Sequence, residues 1–422
     1  MDEQFLHYIW KYQKFDSSDL LLTDGQSLKV FNPGNHNHDS GPDFEEARIK
    51  IDELEWAGQI EIHINSSDWY HHNHQNDPAY ENVVLHVVWN EDKTVEVGGS
   101  PLPTLELKDL VSHQLLERYQ NHIQAPTEIL CQNQLSKISS LTIRSMMDRV
   151  LVERLEEKAS RILDDLSKNK NDWEESTYRA LASNFGFSTN KEAFIRLTQI
   201  LPFAKLKKVL QSEKQTESLI FGQAGFLEKG SDPYETELKK EFDFLRKKFQ
   251  LQEPMISVQW KFGKLRPANF PTVRLSQFAS LLTHQPQLFS ILTQTKNIKE
   301  LKKALITPMS SYWQGHYDFG KPRTRISKTI GNSSFENILI NTIAPLLAAY
   351  ARYTDDQLFM DRAIELLESV VGESNRITKK WNDPNMQIHT AFDSQALIHL
   401  FKNYCQKRKC LQCNIGVDLL NK

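Results

Sequence analysis

Seven of the fourteen histidines fall between His36 and His86, interleaved with Asp39, Asp43, Glu61, Asp68 and Asp77. Donor groups at that density suit a divalent cation: carboxylates favour Mg or Mn, and imidazoles favour Zn, Mn or Fe. Across residues 57–64, Ile60, Ile62 and Ile64 alternate with Glu61 and His63. A period of two predicts a strand with the isoleucines in the core and the two polar groups aimed together from the other face. Asp43 closes the turn Ser40-Gly41-Pro42-Asp43 ahead of a second predicted strand at 47–51, and an antiparallel return would bring it toward Glu61. Asp43 and Glu61 are therefore candidate ligands of a cation that activates a water and neutralises phosphoryl charge. His63 is a candidate base, further ligand or weak cation.

His72, His74 and Asp77 follow at a spacing that a loop could wrap round Zn, Mn or Fe, with His63 or His86 completing the shell. His86 stands between Leu85 and Val87 in an apolar run, so it also reads as a hydrogen-bonded core residue. His36 and His38 flank Asn37 in a turn-rich loop, and Asp68 beside Trp69 also reads as a turn cap. At the other end Cys405, Cys410 and Cys413 form Cys-x4-Cys-x2-Cys, and Cys131 is the only other cysteine. Together the four suit Zn or an iron–sulfur cluster; the alternative is unliganded thiols beside Lys407, Arg408 and Lys409. Lys261, Lys264, Arg266 and Arg274 lie among Trp260, Phe262 and Phe270, and Lys321, Arg323, Arg325 and Lys328 form a second basic run. Both are candidate nucleic-acid contacts, gripping phosphates and stacking bases, against the alternative of solvated surface and core aromatics.

The elements that must position these groups divide in two. Residues 28–107 hold short alternating or apolar runs, with strands predicted at 28–31, 47–51, 57–64, 83–89, 94–97 and 104–107 and helices at 3–12 and 110–123. After Pro126 the pattern turns helical, with a helix of roughly 25 residues through Met147, Leu151, Leu155, Ile162 and Leu166. A helical hairpin follows near the end, its first helix opened by Ser333 and Glu336 as a capping box. The fold class is α+β, divided into an acidic α/β domain at 1–125, a helical region with basic loops at 126–330, and a helical hairpin region with the cysteine cluster at 331–422. Charge follows the division. Residues 1–110 carry 21 acidic against 7 basic residues, and the remaining 312 carry 33 against 44. An acidic cation site beside a polyanion-binding region would look like this, as would ordinary variation in surface charge. No apolar run reaches the length of a membrane span, and the first residues lack a signal-peptide pattern, so a cytoplasmic protein without a membrane partner is expected.

Pro42-Asp43 followed by Glu61-Ile62-His63 resembles the PD-(D/E)XK nuclease superfamily. The resemblance implies a restriction-endonuclease-like core for the first domain, metal-dependent phosphodiester hydrolysis, and His63 standing where the family usually has Lys. Some nucleases of that kind carry a cysteine-ligated cluster with a lone cysteine ahead of the core, whereas here Cys131 follows it. Over the whole chain, the succession Gly41-Pro42-Asp43-Phe44, Glu61-Ile62-His63, Asp68-Trp69 with His72 and His74, Leu85-His86-Val87-Val88, Arg266-Pro267, Phe270-Pro271 and Cys410-Leu411-Gln412-Cys413 is similar to a bacterial family of unassigned function and about this length. The expected activity is a metal-dependent phosphodiester hydrolase or nuclease-like protein. The alternatives are a transition-metal hydrolase with another substrate, or a non-catalytic scaffold with structural metals.

Overall fold

The computed structural model describes residues 2–37, 40–123, 127–230, 232–295, 297–324, 328–381 and 386–422. Met1–Met146 with Leu400–Lys422 form one compact unit, and Met147–Asn382 with Met386–His399 form the other. The three expected segments are thus redrawn as two units. The cysteine-bearing C-terminus belongs with the N-terminal unit, a return across the whole chain that local pattern does not reveal. The first unit is built on a mixed sheet and the rest of the chain is mostly helical, an α+β protein.

In the first unit, α1 (Glu3–Lys11) is capped by Asp2, whose carboxylate accepts from Phe5 N, and it buries the stripe Phe5, Leu6, Ile9 and Trp10. The sheet runs β1 (Leu20–Leu21), β2 (Ser27–Asn32), β4 (Phe44–Ile51), β5 (Leu54–Asn65), β6 (Val83–Asn90) and β9 (Thr104–Glu106), with β3 (Asn35–His36) also pairing β4. A small separate hairpin, β7 (Glu96–Val97) with β8 (Ser100–Pro101), precedes β9. The β2–β4–β5 meander is antiparallel, and β5 pairs β6 in parallel after a helical crossover. Gly58 permits that pairing at its start, because a Cβ there would lie 2.4 Å from Val84 Cγ1 and 2.7 Å from Asn82 O. Phe5, Ile9, Ile49, Ile60, Ile62, Leu85, Val87 and Leu105 share one core, while Trp69, Tyr80, Val83, Val95 and Leu102 form a second cluster. The predicted 110–123 helix begins later, as α3 (His113–Ile123).

The helix predicted near Met147 extends from Ser140 to Lys168, and the predicted hairpin pairs Ala344–Thr354 with Gln357–Glu368. Its first helix starts at Asn332 behind Gly331 without a side-chain cap, so Ser333 and Glu336 form no capping box. A π turn at Leu339–Ile343 interrupts it just ahead of Pro345. Proline has no N–H to offer and crowds the carbonyl four residues back, and a widened turn relieves both. Tyr178, Phe185, Phe194, Phe221, Phe278 and Trp313 fill the core of the helical unit.

Glu217 lies within that core at 1% exposure and accepts from Tyr234 Oη at 2.5 Å. Burial pushes its carboxyl up from 4.5 to about 7. A raised folded-state pKa means that the favourable protonated state is fully available below pH 4.5 and is lost as the pH rises through 7. Glu217→Gln keeps an acceptor for Tyr234 without the charge. Denaturant unfolding should therefore show the variant about 3 kcal/mol more stable than the parent at pH 8, with the difference disappearing near pH 4. A constant difference across that range would show that the charge of Glu217 is not what is being relieved.

Candidate metal centre

Alternation along β5 puts Ile60 and Ile62 in the core shared with α1 and turns Glu61 and His63 to the opposite face. Both polar groups are nonetheless buried, at 5% and 1% exposure. The parallel register sets His86 of β6 opposite Glu61. Beyond β5 the chain makes one helical turn, α2 (Asp68–His71), held by Asp68 Oδ2 accepting from Asn65 N at 3.0 Å. Asn73, left-handed at φ 63°, then reverses the chain between His72 and His74. Trp69, fully buried, walls this turn: its ring lies 5.4 Å from that of His74, 5.8 Å from Tyr80 and 5.5 Å from His86, and Tyr80 stacks on His74 at 3.8 Å.

Four donors meet there. His63 Nε2 stands 3.1 Å from His72 Nδ1 and 3.6 Å from Glu61 Oε1, which is 3.2 Å from His74 Nε2. A tetrahedral ion with metal–nitrogen bonds near 2.0 Å separates its ligands by roughly 3.3 Å, so each of these three spacings suits a pair of neighbouring ligands. Among the described residues, His63, His72 and His74 are the group whose donor atoms all lie within 4.8 Å of one another. His74 Nε2 is within ion-pair distance of Glu61 but off hydrogen-bond geometry, which leaves a buried nitrogen without a hydrogen bond. Such a nitrogen is expected of a ligand.

Electrostatics agree with that set. Burial pushes His63 down to about 2, reinforced by the charges His86, His74, His72 and His7 would carry. It is therefore a neutral imidazole, fit to be a ligand but too weak a base to take a proton near neutral pH and unable to replace a lysine as a fixed cation. Its Nδ1 lies 2.9 Å from His86 Nε2. The tautomer that leaves His63 Nε2 with its lone pair toward the other donors has Nδ1–H donating to His86. Burial likewise pushes His86 down to about 3. His86 thus orients His63 from behind. Burial also raises the Glu61 carboxyl, as does Asp43, while His74 opposes the rise.

Asp43 is beside the donors and locked to them. Its N–H donates to Glu61 Oε2 at 3.1 Å, and its Oδ2 accepts from Ile62 N at 3.0 Å. His7 Nε2 is 3.2 Å from the same Oδ2. Burial works against a charge on His7, but Asp43, Glu3 and Glu61 outweigh it and raise its pKa. Burial and Asp43 likewise raise Glu3. Glu3 and His7, one turn apart on α1, were not singled out in the sequence. The signal available was their position on the polar side of an amphipathic stripe.

Other candidates are placed elsewhere. Asp77 is exposed and caps the next turn, its Oδ1 accepting from Ala79 N at 2.9 Å, so it does not join the donors. His36 stacks on Phe44, while His38, Asp39 and Arg325 lie outside the described residues. Lys261, Lys264 and Arg266 are exposed, whereas Trp260 is buried, with Nε1 donating to Ala224 O. Arg274 is buried as well. Lys321 pairs with Asp318 at 2.8 Å, and Arg323 donates to His316 O.

The four cysteines all belong to the first unit, and none is in a disulfide. Each opens a turn or a helix: Gln134 N donates to Cys131 O, Arg408 N to Cys405 O and Cys413 N to Cys410 O, while Cys413 stands at the N-cap of Asn414–Asn421. Gly416 packs on the third of these turns, where a Cβ would come within 2.2 Å of Cys410 O. Burial raises Cys131 to about 12, with Cys413 and Cys410 adding to it; Cys405 is raised by burial and by all three of the others. The thiols are thus near neighbours, although set more loosely than the three imidazoles.

A mixed-sheet unit with an imidazole–carboxylate centre, followed by a helical unit, defines the architecture. Residues 3–376 match the profile of a family described as "Protein of unknown function (DUF2851)", and the chain belongs to that family. No curated protein and no solved structure matches it. No helix among the described residues is long and apolar enough to cross a membrane.

Proposed function

We propose that the first unit is a metal-dependent phosphodiester hydrolase of nuclease-like type, with Glu61, His63, His72 and His74 holding the cation and Asp43 beside them. The observation that carries this reading is the convergence of His63, His72 and His74, whose donor atoms lie within 4.8 Å of one another, with Glu61 Oε1 3.6 Å from His63 and 3.2 Å from His74. Of the Mg or Mn expected from carboxylates alone, the three imidazoles favour Mn, and they also suit Zn or Fe. When bound, the cation would acidify a water and neutralise charge on the scissile phosphate. Asp43 fixes Glu61 through its N–H, and His86 fixes His63, so both ligands are oriented before substrate arrives. The phosphodiester class is supported by Asp43 entering the second strand of an antiparallel meander and Glu61 lying in the third, followed by a crossover into a parallel strand. Exposed Lys261, Lys264 and Arg266 suit nucleic-acid phosphates.

A transition-metal hydrolase with another ester substrate is the second reading, favoured by the imidazole-rich shell and by the acidic balance of residues 1–110. The cysteines fit a structural Zn or iron–sulfur cluster, and thiols outside disulfides fit a reducing cytoplasm. The test is hydrolysis by purified protein, stripped by chelator and resupplied with Mn, Zn or Mg, of single- and double-stranded DNA and RNA. Cleavage restored by Mn is expected. Hydrolysis of small esters alone would favour the second reading, and hydrolysis of neither by metal-loaded protein would overturn both.

A further inference from the structure

The helical unit contains a cavity of about 340 Å³ lined by Phe187, Thr189, Asn269, Arg274, Ser333 and Asn337, among others. Its volume lies at the lower end of small-molecule sites. Arg274 is 7% exposed, and its hydrogen-bond partners among the described residues are neutral. Nη1 donates to Gln277 Oε1 at 2.9 Å and Ser334 Oγ at 3.1 Å, Nη2 donates to Asn269 Oδ1 at 2.6 Å, and the guanidinium carbon sits 4.4 Å from the Phe187 ring centroid. Nε is buried with no hydrogen-bond partner. Among the described residues no carboxylate pairs with Arg274, and none lines the cavity.

A buried charge without a counter-ion is costly, and buried arginines are ordinarily paired. Burial lowers the pKa of Arg274 only to about 10, so the charge persists at neutral pH. The rest of the polar lining offers hydroxyls and amides, which can donate to an anion. Exposed Lys264 and Arg266 flank the lining residue Leu265 in the chain, adding positive charge of the kind a multivalent anion attracts.

We propose that this cavity is a binding site for phosphate, free or as the head of a small phosphomonoester, with Arg274 as its counter-cation. This site is assigned independently of the metal centre. Calorimetric titration of the full chain with inorganic phosphate, adenosine 5′-phosphate and adenosine, at constant ionic strength, tests it. Saturable binding of phosphate or of the nucleotide, with none of adenosine, is expected; tighter binding of the nucleotide would identify the phosphomonoester as the source. A charged hydrogen bond lost from a buried site weakens binding by roughly 10- to 100-fold, so Arg274→Gln should do so. Asn337→Phe, which fills the cavity and leaves Arg274 in place, should also weaken binding and decides the matter should Arg274→Gln fail to fold. Absence of saturable binding, binding of adenosine alone, or affinity unchanged in the variants would overturn the assignment.

Discussion

Glu61→Gln is expected to lower metal-dependent phosphodiester cleavage by roughly 100- to 1,000-fold while leaving the unfolding transition in place. A cation supplies several kcal/mol of stabilisation to a developing phosphoryl charge, and each 1.36 kcal/mol is tenfold in rate. The amide retains an oxygen to accept the Asp43 N–H but removes the one charged donor standing against His63 and His74. Because burial already disfavours the Glu61 charge, replacing it costs the cation-free protein little stability. Activity and stability therefore separate in this variant. Full cleavage by a folded Glu61→Gln protein would remove Glu61 from the ligand set.

Trp69→Ala should destabilise the first unit by about 3–5 kcal/mol, the range for truncating a fully buried large aromatic. Trp69 is 0% exposed and touches the rings of His74, Tyr80 and His86. Its loss opens a cavity under one proposed ligand and under the residue that orients another. Cation affinity should fall together with the denaturation midpoint, whereas Trp69→Phe should recover much of both. A loss below about 1 kcal/mol would show that other residues hold the loop of His72 and His74.

Much of the sheet was legible because strand pattern is local. The alternation at Ile60, Ile62 and Ile64 identified a strand that runs Leu54–Asn65, and short apolar runs identified its neighbours. The closeness of Asp43 to Glu61 followed from an antiparallel return, which β4 and β5 make. What escaped depends on contacts distant in the chain or on a competing local use of a side chain. His7 meets Asp43 from a helix 36 residues earlier, and Leu411 and Leu420 join the first unit's core from the far end of the chain. Asp77 precedes Pro78, a pair that favours turn initiation, and its carboxylate serves that turn. Arg274 read as a basic surface residue, yet Pro271–His284 is buried from Pro271 to Leu282. Val273, Leu275, Phe278, Leu281 and Leu282 cover somewhat more than half of that helix's circumference and the small Thr272, Ser276 and Ser280 lie on the remainder, a pattern wider than a single amphipathic stripe.

The most direct measurement is an anomalous difference map from crystals equilibrated with Mn or Zn. The account predicts a peak about 2.0–2.2 Å from Glu61 and from the nitrogens of His63, His72 and His74, absent in Glu61→Gln crystals or much weaker there. No peak among those four side chains at saturating metal, in crystals whose cysteine cluster takes up the ion, would contradict it.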